Sequence, residues 1–382
     1  MRVPGPIDFP AEFFPLPLAS RFHVPFVDLT ERFRNIFNSN LRDDRLSSPD
    51  LSGMLNDART PLIRPCFGTA ASDTRIDMAT RPQFPEEQSE TGDFERQEDA
   101  FRSWVEDDQN SPHPVSPGRY HLYISLACPW AHRTLIARNL KALESAVGVT
   151  VVDPVRDERG WAFRDGPGHS SDPVNGFQFL SEAYRATDPD FNQRVTVPVL
   201  WDKEKKIIVN NSEDDICRMF DGPFSPLGTA TVDLFPENIE AEHARVSQFI
   251  YENINNGVYR AGFASTQHAY EKASRALFAA LDELETRLSQ SPCLFGAQPV
   301  EADWRLFCTL IRFDAVYHTH FKCNLRRIID YPNLQTHLTT LYHLPGIPQT
   351  VNFDHIKRHY FITHNDINPT RIVPIGPTLS FL

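Results

Sequence analysis

The sequence predicts an α/β unit followed by an all-helical unit. Three observations carry that fold class. Between Gly118 and Phe220 the apolar periods run strand, helix, strand and then strand, strand, helix. A Gly- and Pro-containing connector follows at Asp221-Gly222-Pro223 to Leu227-Gly228. Beyond it, apolar residues recur at three- and four-residue spacing, as on the buried stripes of packed helices.

In chain order, the first stretch, from Met1 to about Gly92, mixes Pro, Asp, Ser and Arg with aromatic clusters and holds little period. Only Phe26 to Phe37 spaces its apolar residues as a helix does. Tyr120 to Ser125 then alternates like a strand, and Pro129 to Val147 carries Leu135, Ile136, Leu140 and Leu143 on one helical face. Val149 to Val152 is a second strand. An irregular passage around Trp161 leads to a third at Val195 to Leu200, and a charged turn at Lys203 to Lys206 connects it to Ile207-Ile208-Val209. A helix over Ser212 to Phe220 closes the unit. In the helical part, Ala273, Leu277, Phe278, Leu281, Leu284 and Leu288 form one stripe, and Trp304, Phe307, Cys308, Ile311 and Ala315 another. The predicted organisation is an irregular extension over 1–92, an α/β domain over 93–221, a linker over 222–234, and a helical domain with an irregular tail over 235–382.

At 382 residues, with 41% hydrophobic and 23% charged side chains, the chain has a globular composition and room for two domains. Its net charge of −12 opposes binding to phosphate backbones and anionic membrane surfaces. No run is apolar for long enough to read as a membrane helix. The six cysteines, at 66, 128, 217, 293, 308 and 323, include no C-x-x-C pair and no His/Cys cluster at zinc spacing. They read as reduced thiols, so a cytoplasmic location and no metal are expected.

The sharpest chemical signal is Ser125-Leu126-Ala127-Cys128-Pro129-Trp130-Ala131, where a strand gives way to a helix. Proline suits the first helical turn because its missing N–H has no intrahelical partner to lose. Cys128 then meets unsatisfied amides and the positive end of the helix dipole, which is expected to lower its pKa and favour the nucleophilic thiolate. The bland alternative for a lone cysteine is a small buried hydrophobe. With Ala131 three residues on, there is no resolving cysteine, so any mixed disulfide is cleared by an external thiol. Pro198 heads an apolar strand, where it cannot donate to a ladder, and in a thioredoxin-type fold the Val197–Pro198 bond is expected to be cis.

Together with Cys128-Pro-Trp-Ala-His132 and Thr196-Val-Pro-Val-Leu-Trp-Asp202, five further segments complete a pattern. They are Gly118-Arg-Tyr-His-Leu-Tyr123, Pro173-Val-Asn-Gly176, Asn255-Asn-Gly-Val-Tyr-Arg-Ala-Gly-Phe263, Phe321-Lys-Cys-Asn324 and Val351-Asn-Phe-Asp-His-Ile-Lys-Arg-His-Tyr360. In this order they resemble the xi class of glutathione transferases, the glutathionyl-hydroquinone reductases, over about Asp93 to Pro377. The resemblance implies a thioredoxin-like N-terminal domain that binds glutathione as co-substrate, an all-helical C-terminal domain that shapes a pocket for an aromatic substrate, and a homodimer. It implies Cys128 as nucleophile, with Tyr259 and Tyr360 donating to the substrate ring. Glutathione would be held by Trp161, Arg194, Val197, Ser212 and Glu213, with the Val197 backbone pairing its cysteinyl part.

Two departures stand out. The family reads Asn-Asn-Glu-Ser where this chain reads Asn210-Asn211-Ser212-Glu213, followed by Asp214 and Asp215, so a carboxylate is expected to crowd the γ-glutamyl carboxylate. Val300 replaces the Ser or Thr that caps the helix at Asp303, a loss of about 1 kcal/mol. The inverted pair keeps a second reading open: a biosynthetic relative acting on another quinone or aromatic by conjugation, isomerisation or ring closure. A third is a non-catalytic scaffold that binds a ligand.

Overall fold

The computed structural model describes residues 87–381. The helix expected at Phe26 to Phe37, and most of the extension, lie outside the described residues.

The sheet has four strands: β1 (Tyr120–Ile124), β2 (Gly148–Val151), β3 (Val199–Asp202) and β4 (Ile207–Asn210), in the order β2-β1-β3-β4. β1 pairs parallel with β2, Leu122 opposite Val149, and antiparallel with β3, Leu122 opposite Leu200. β4 runs antiparallel to β3, with a register shift between Leu200 and Trp201. All five residues of β1 are buried, because it is a central strand covered on both faces. Helices α1 (Pro129–Leu140), α2 (Ser181–Thr187) and α3 (Glu213–Asp221) complete the thioredoxin-like unit.

Three boundaries differ from the sequence reading. α1 stops at Leu140, where Ala142 turns to φ 52°, yet Leu143 and Val147 stay buried in the turn toward β2. Their apolar spacing thus mimics a continuing helix. β3 begins at Val199 because Pro198 has no N–H for the ladder, and Val195 to Val197 instead line a cavity. α2 lies in the passage read as irregular, since seven residues are too few to show a period. The Val197–Pro198 bond is cis, as expected.

The helical part comprises α4 (Glu240–Ile250), α5 (Asn256–Gly262), α6 (Gln267–Leu288), α7 (Glu301–Arg312), α8 (His318–His320), α9 (Pro332–Tyr342) and α10 (Phe353–Arg358). α6 holds the first predicted stripe, and α7 holds the second as far as Ile311, with Ala315 in the π-helical turn that follows. Helix continues to Thr363 before the irregular tail begins. π-helical turns at Tyr251–Asn255, Phe313–Tyr317 and His359–Thr363 interrupt or extend the helices, and such turns recur at functional sites. Val300 offers no side-chain acceptor at the start of α7. Asp303 nevertheless accepts the Val300 N–H at 3.0 Å, so half of a capping box survives.

α7 is buried along its whole length, and its charged residues must therefore be paired. Arg133 of α1 meets Glu213 at 3.1 Å, Asp214 at 2.5 Å, and Glu301. Arg305 meets Glu301 at 3.1 Å and also Asp214. This network fastens the first turn of α3 to α1 and α7.

Candidate active site

Cys128 occupies the N-cap of α1 with φ −77° and ψ 123°, and Pro129 is the first helical residue. Its N–H donates to the Ser125 carbonyl at 3.1 Å, and its Sγ lies 3.5 Å from the Val197 carbonyl. The backbone N–H groups of Trp130 and Ala131 reach toward the sulfur and, with the charges of Arg312 and Arg96, favour thiolate. Burial outweighs all four, so the thiol pKa is pushed up, against the direction expected from sequence. Helix amides can be placed from sequence, whereas desolvation of the sulfur arises only in the folded chain.

Arg312 sits beneath this loop, fully buried. It donates to the carbonyls of Ala127 at 2.9 Å, Leu126 at 3.0 Å and Cys308 at 2.8 Å. Thr350 spends its hydroxyl proton on Ile347, so His132 Nε2–H donates to Thr350 at 2.7 Å and His132 Nδ1 accepts from Arg312 at 3.1 Å. Arg312→Met removes the side-chain donors from the Ala127 and Leu126 carbonyls. We expect it to cost about 3 kcal/mol of stability and to move the Cys128 thiol further up, read by thermal melts and thiol alkylation against pH. A variant with unchanged melting and alkylation would remove Arg312 from this role. Its signal was present in the sequence: Arg312 falls four residues after Cys308, on the apolar stripe of α7.

A cavity of about 390 Å³ opens beside Cys128, and all eight residues expected at the site line it: Cys128, Trp161, Arg194, Val197, Ser212, Glu213, Tyr259 and Tyr360. Its size falls in the range of small-molecule sites. Tyr259 and Tyr360 share a hydrogen bond of 2.5 Å, and Tyr360 shares another, of 2.9 Å, with Tyr317. Burial pushes all three phenols up, so they stay protonated around neutral pH. Tyr317 was missed because it reads as one more aromatic of a helical core. The Trp130 ring packs against Tyr259 at 4.9 Å, and the Arg96 guanidinium lies 3.9 Å from the Trp130 centroid and 5.1 Å from that of Tyr259.

Trp161, also on the cavity wall, stacks on His359 with centroids 5.0 Å apart. Arg194 pairs with Glu87 at 2.5 Å. Ser212 is the N-cap of α3, and the first turn has no side-chain cap, which leaves its amides available to an anion. The crowding of carboxylates expected here is smaller than the sequence suggests. Asp214 is held well below its usual range by Arg133 and Arg305 despite burial, and Asp215 is bound by Arg102 and by Asn210 at 3.0 Å. Glu213 and Asp99 also line the cavity, close enough to repel one another. Burial holds Glu213 up to about 7 against the pull of Arg133, and holds Asp99 up to about 6 against Arg102 and a hydrogen bond from Ser212. Asp99 was not anticipated, because it comes from the segment before the sheet.

Among family descriptions, the chain matches "Glutathione S-transferase, N-terminal domain" over residues 127–222 and "Glutathione S-transferase, C-terminal domain" over 267–340. It is 47% identical over 310 residues to glutathionyl-hydroquinone reductase YqjG of Escherichia coli, covering 79% of this chain and 94% of the relative. It is 45% identical over 302 residues to glutathionyl-hydroquinone reductase PcpF of Sphingobium chlorophenolicum, covering 79% of this chain and 95% of that one. The crystal structure of the Xi glutathione S-transferase from Phanerochaete chrysosporium superposes with a TM-score of 0.74 at 49% identity, covering 76% of this chain and 94% of the other. The glutathione-bound structure of YqjG superposes with a TM-score of 0.71 at 48% identity, covering 74% and 94%. With a thiol at a helix N-terminus, a cis-proline beside it and a tyrosine-lined cavity on a transferase fold, the chain belongs to the xi class of glutathione transferases, the family of the glutathionyl-hydroquinone reductases.

Proposed function

We propose that the protein is a glutathione-dependent reductase of glutathionyl-hydroquinones, with Cys128 as nucleophile. The observation that carries this reading is the sharing of one cavity by the Cys128 sulfur, the Val197 carbonyl and the Tyr259–Tyr360 pair. Cys128 thiolate attacks the thioether sulfur and forms a Cys128–glutathione disulfide. The sulfur–carbon bond breaks, its electron pair goes to the ring, and the ring carbon gains a proton. A second glutathione then attacks the mixed disulfide, releases oxidised glutathione and restores the thiol. In the Tyr259–Tyr360 pair, kept protonated by burial, one hydroxyl proton is spent on the shared hydrogen bond and the other is donated to the ring oxygen, where it stabilises the charge that develops.

For glutathione, the Val197 backbone takes the cysteinyl part, Trp161 and Arg194 flank the tripeptide, and the α3 amides beside Ser212 take the γ-glutamyl carboxylate. Glu213 and Asp99 together take the ammonium, so that Asp99 supplies the acid that Ser212 lacks. That division reconciles the inverted Ser212-Glu213 pair with glutathione use. The family resemblance supports a homodimer, to be read from light scattering after gel filtration. The compositional reading supports a cytoplasmic location, and no described helix is long and apolar enough to cross a membrane.

The test is incubation with a glutathionyl-hydroquinone and excess glutathione, following hydroquinone and oxidised glutathione. Stoichiometric release of both, with a glutathione adduct on Cys128 in single turnover, is expected. No turnover and no adduct would overturn the reading in favour of another aromatic substrate.

A pH dependence follows from Glu213 and Asp99. An ammonium binds their ionised forms, so glutathione affinity rises as pH climbs through the two values and levels off above them, by up to roughly tenfold between about pH 6 and about pH 8. Binding at pH 6.5 therefore releases protons, measurable by calorimetry in buffers of different ionisation enthalpy. Glu213→Gln and Asp99→Asn should each reduce that release. Proton-neutral binding by the parent protein would reject the assignment.

A further inference from the structure

Away from the cavity, Cys293, Asp303 and His337 converge from the turn after α6, the first turn of α7, and α9. The thiol sulfur, a carboxylate oxygen and an imidazole nitrogen all lie within 4.8 Å of one another. The three residues are 2%, 0% and 2% exposed. In so dry a place each polar atom needs a partner, and one of these lacks it.

The hydrogen bonds around the group orient these atoms inward. The Pro292 carbonyl can only accept, so the 3.0 Å contact with His337 Nδ1 places the ring proton on Nδ1. His337 Nε2 then presents its lone pair to the cluster, where it has no hydrogen-bond partner. Asp303 Oδ1, at 3.6 Å, is too far to supply one. Asp303 is itself fixed by the N–H groups of Leu294 at 2.8 Å and Val300 at 3.0 Å. Cys293 is held by reciprocal backbone bonds with Gly296. Ligands clamped in this way by surrounding carbonyls and amides are the usual surroundings of a bound metal.

We propose that Cys293, Asp303 and His337 form a structural zinc site that ties α9 to the start of α7 and the end of α6. A thiolate and an imidazole select a borderline-soft cation over magnesium or calcium. Thiolate and carboxylate together cancel the charge of a dication, so the occupied site is neutral and suited to burial. On binding, Cys293 loses its proton to solvent and its sulfur bonds the metal. The Ala297 carbonyl, 3.9 Å from Cys293 Sγ, is the candidate fourth ligand. Residues 293, 303 and 337 are too widely spaced to read as a zinc motif in the sequence.

The test uses the untagged full chain carrying Cys128→Ser, which removes the active-site thiol. After loading with zinc and desalting, elemental analysis should find close to one zinc per chain. Cys293→Ala and His337→Phe should each lower that content at least tenfold, and a chelator should lower the melting temperature of the parent only. Cobalt in place of zinc should give the parent a thiolate-to-cobalt charge-transfer band, a readout that needs no core variant to fold. A parent that keeps no zinc and shows no such band overturns the proposal, as does zinc retained equally by both variants.

Discussion

Cys128→Ser is expected to lower kcat/KM for a glutathionyl-hydroquinone by about a thousand-fold or more while leaving the dissociation constant of glutathione within a few-fold of its wild-type value. The split follows from the geometry. The proposed glutathione contacts come from Val197, Trp161, Arg194 and the first turn of α3, so exchanging one sulfur for oxygen at the α1 N-cap leaves them in place. The attacking atom is what changes, because a serine hydroxyl at neutral pH neither ionises nor forms a stable bond to sulfur. The raised thiol pKa adds a signature of its own. Since burial favours the protonated thiol, the thiolate fraction grows as pH rises, and wild-type kcat/KM should climb from neutral toward alkaline pH. Arg312→Met should move that limb further up. Stopped-flow assays across pH read both effects, and a serine variant retaining a tenth of wild-type activity would remove Cys128 from the chemistry.

The legible parts of the molecule were those in which local pattern and function coincide. Cys128-Pro129 announces a helix N-terminus because proline tolerates so few other places, and the stripes of α6 and α7 announce buried faces because their period is long. What stayed hidden depends on segments that are remote in sequence. Asp99 reaches Ser212 across more than a hundred residues, and Arg312 reaches Ala127 across 185. Asp99 has no local mark that separates it from a solvated charge, and Arg312 has only its place on the α7 stripe. Tyr317 ends a π-helical turn, whose five-residue advance breaks the period used to assign faces. The direction of the Cys128 shift failed for a related reason: helix amides can be placed from sequence, but the depth of burial is set by which chain segments close over the thiol. The negative charge that Asp214 adds beside the Ser212-Glu213 inversion is paired with arginines that come from α1 and α7, which no local pattern announces.

Tyr259→Phe is expected to lower kcat by about a hundred-fold, within the span of a lost general acid, with glutathione affinity unchanged. Tyr259 packs against Trp130, two residues from the nucleophile, and shares its 2.5 Å hydrogen bond with Tyr360. Joined by that bond, the pair keeps one free hydroxyl proton for the cavity beside the sulfur, where a substrate ring would lie. Their raised pKa values exclude a tyrosinate base near neutrality and leave donation as their chemistry. Tyr360→Phe should cost a similar factor. Tyr317→Phe should cost only about tenfold, since Tyr317 lies behind Tyr360, is absent from the cavity wall and acts by orienting its hydroxyl. Binding-driven losses would appear in KM, whereas the loss of a donor to the developing phenolate appears in kcat. Combining Tyr259→Phe with Tyr360→Phe should give less than the product of the single losses, because one shared hydrogen bond joins the pair. Full kcat in Tyr259→Phe would place the proton source elsewhere in the cavity, and strictly multiplicative losses would show that the two hydroxyls act independently.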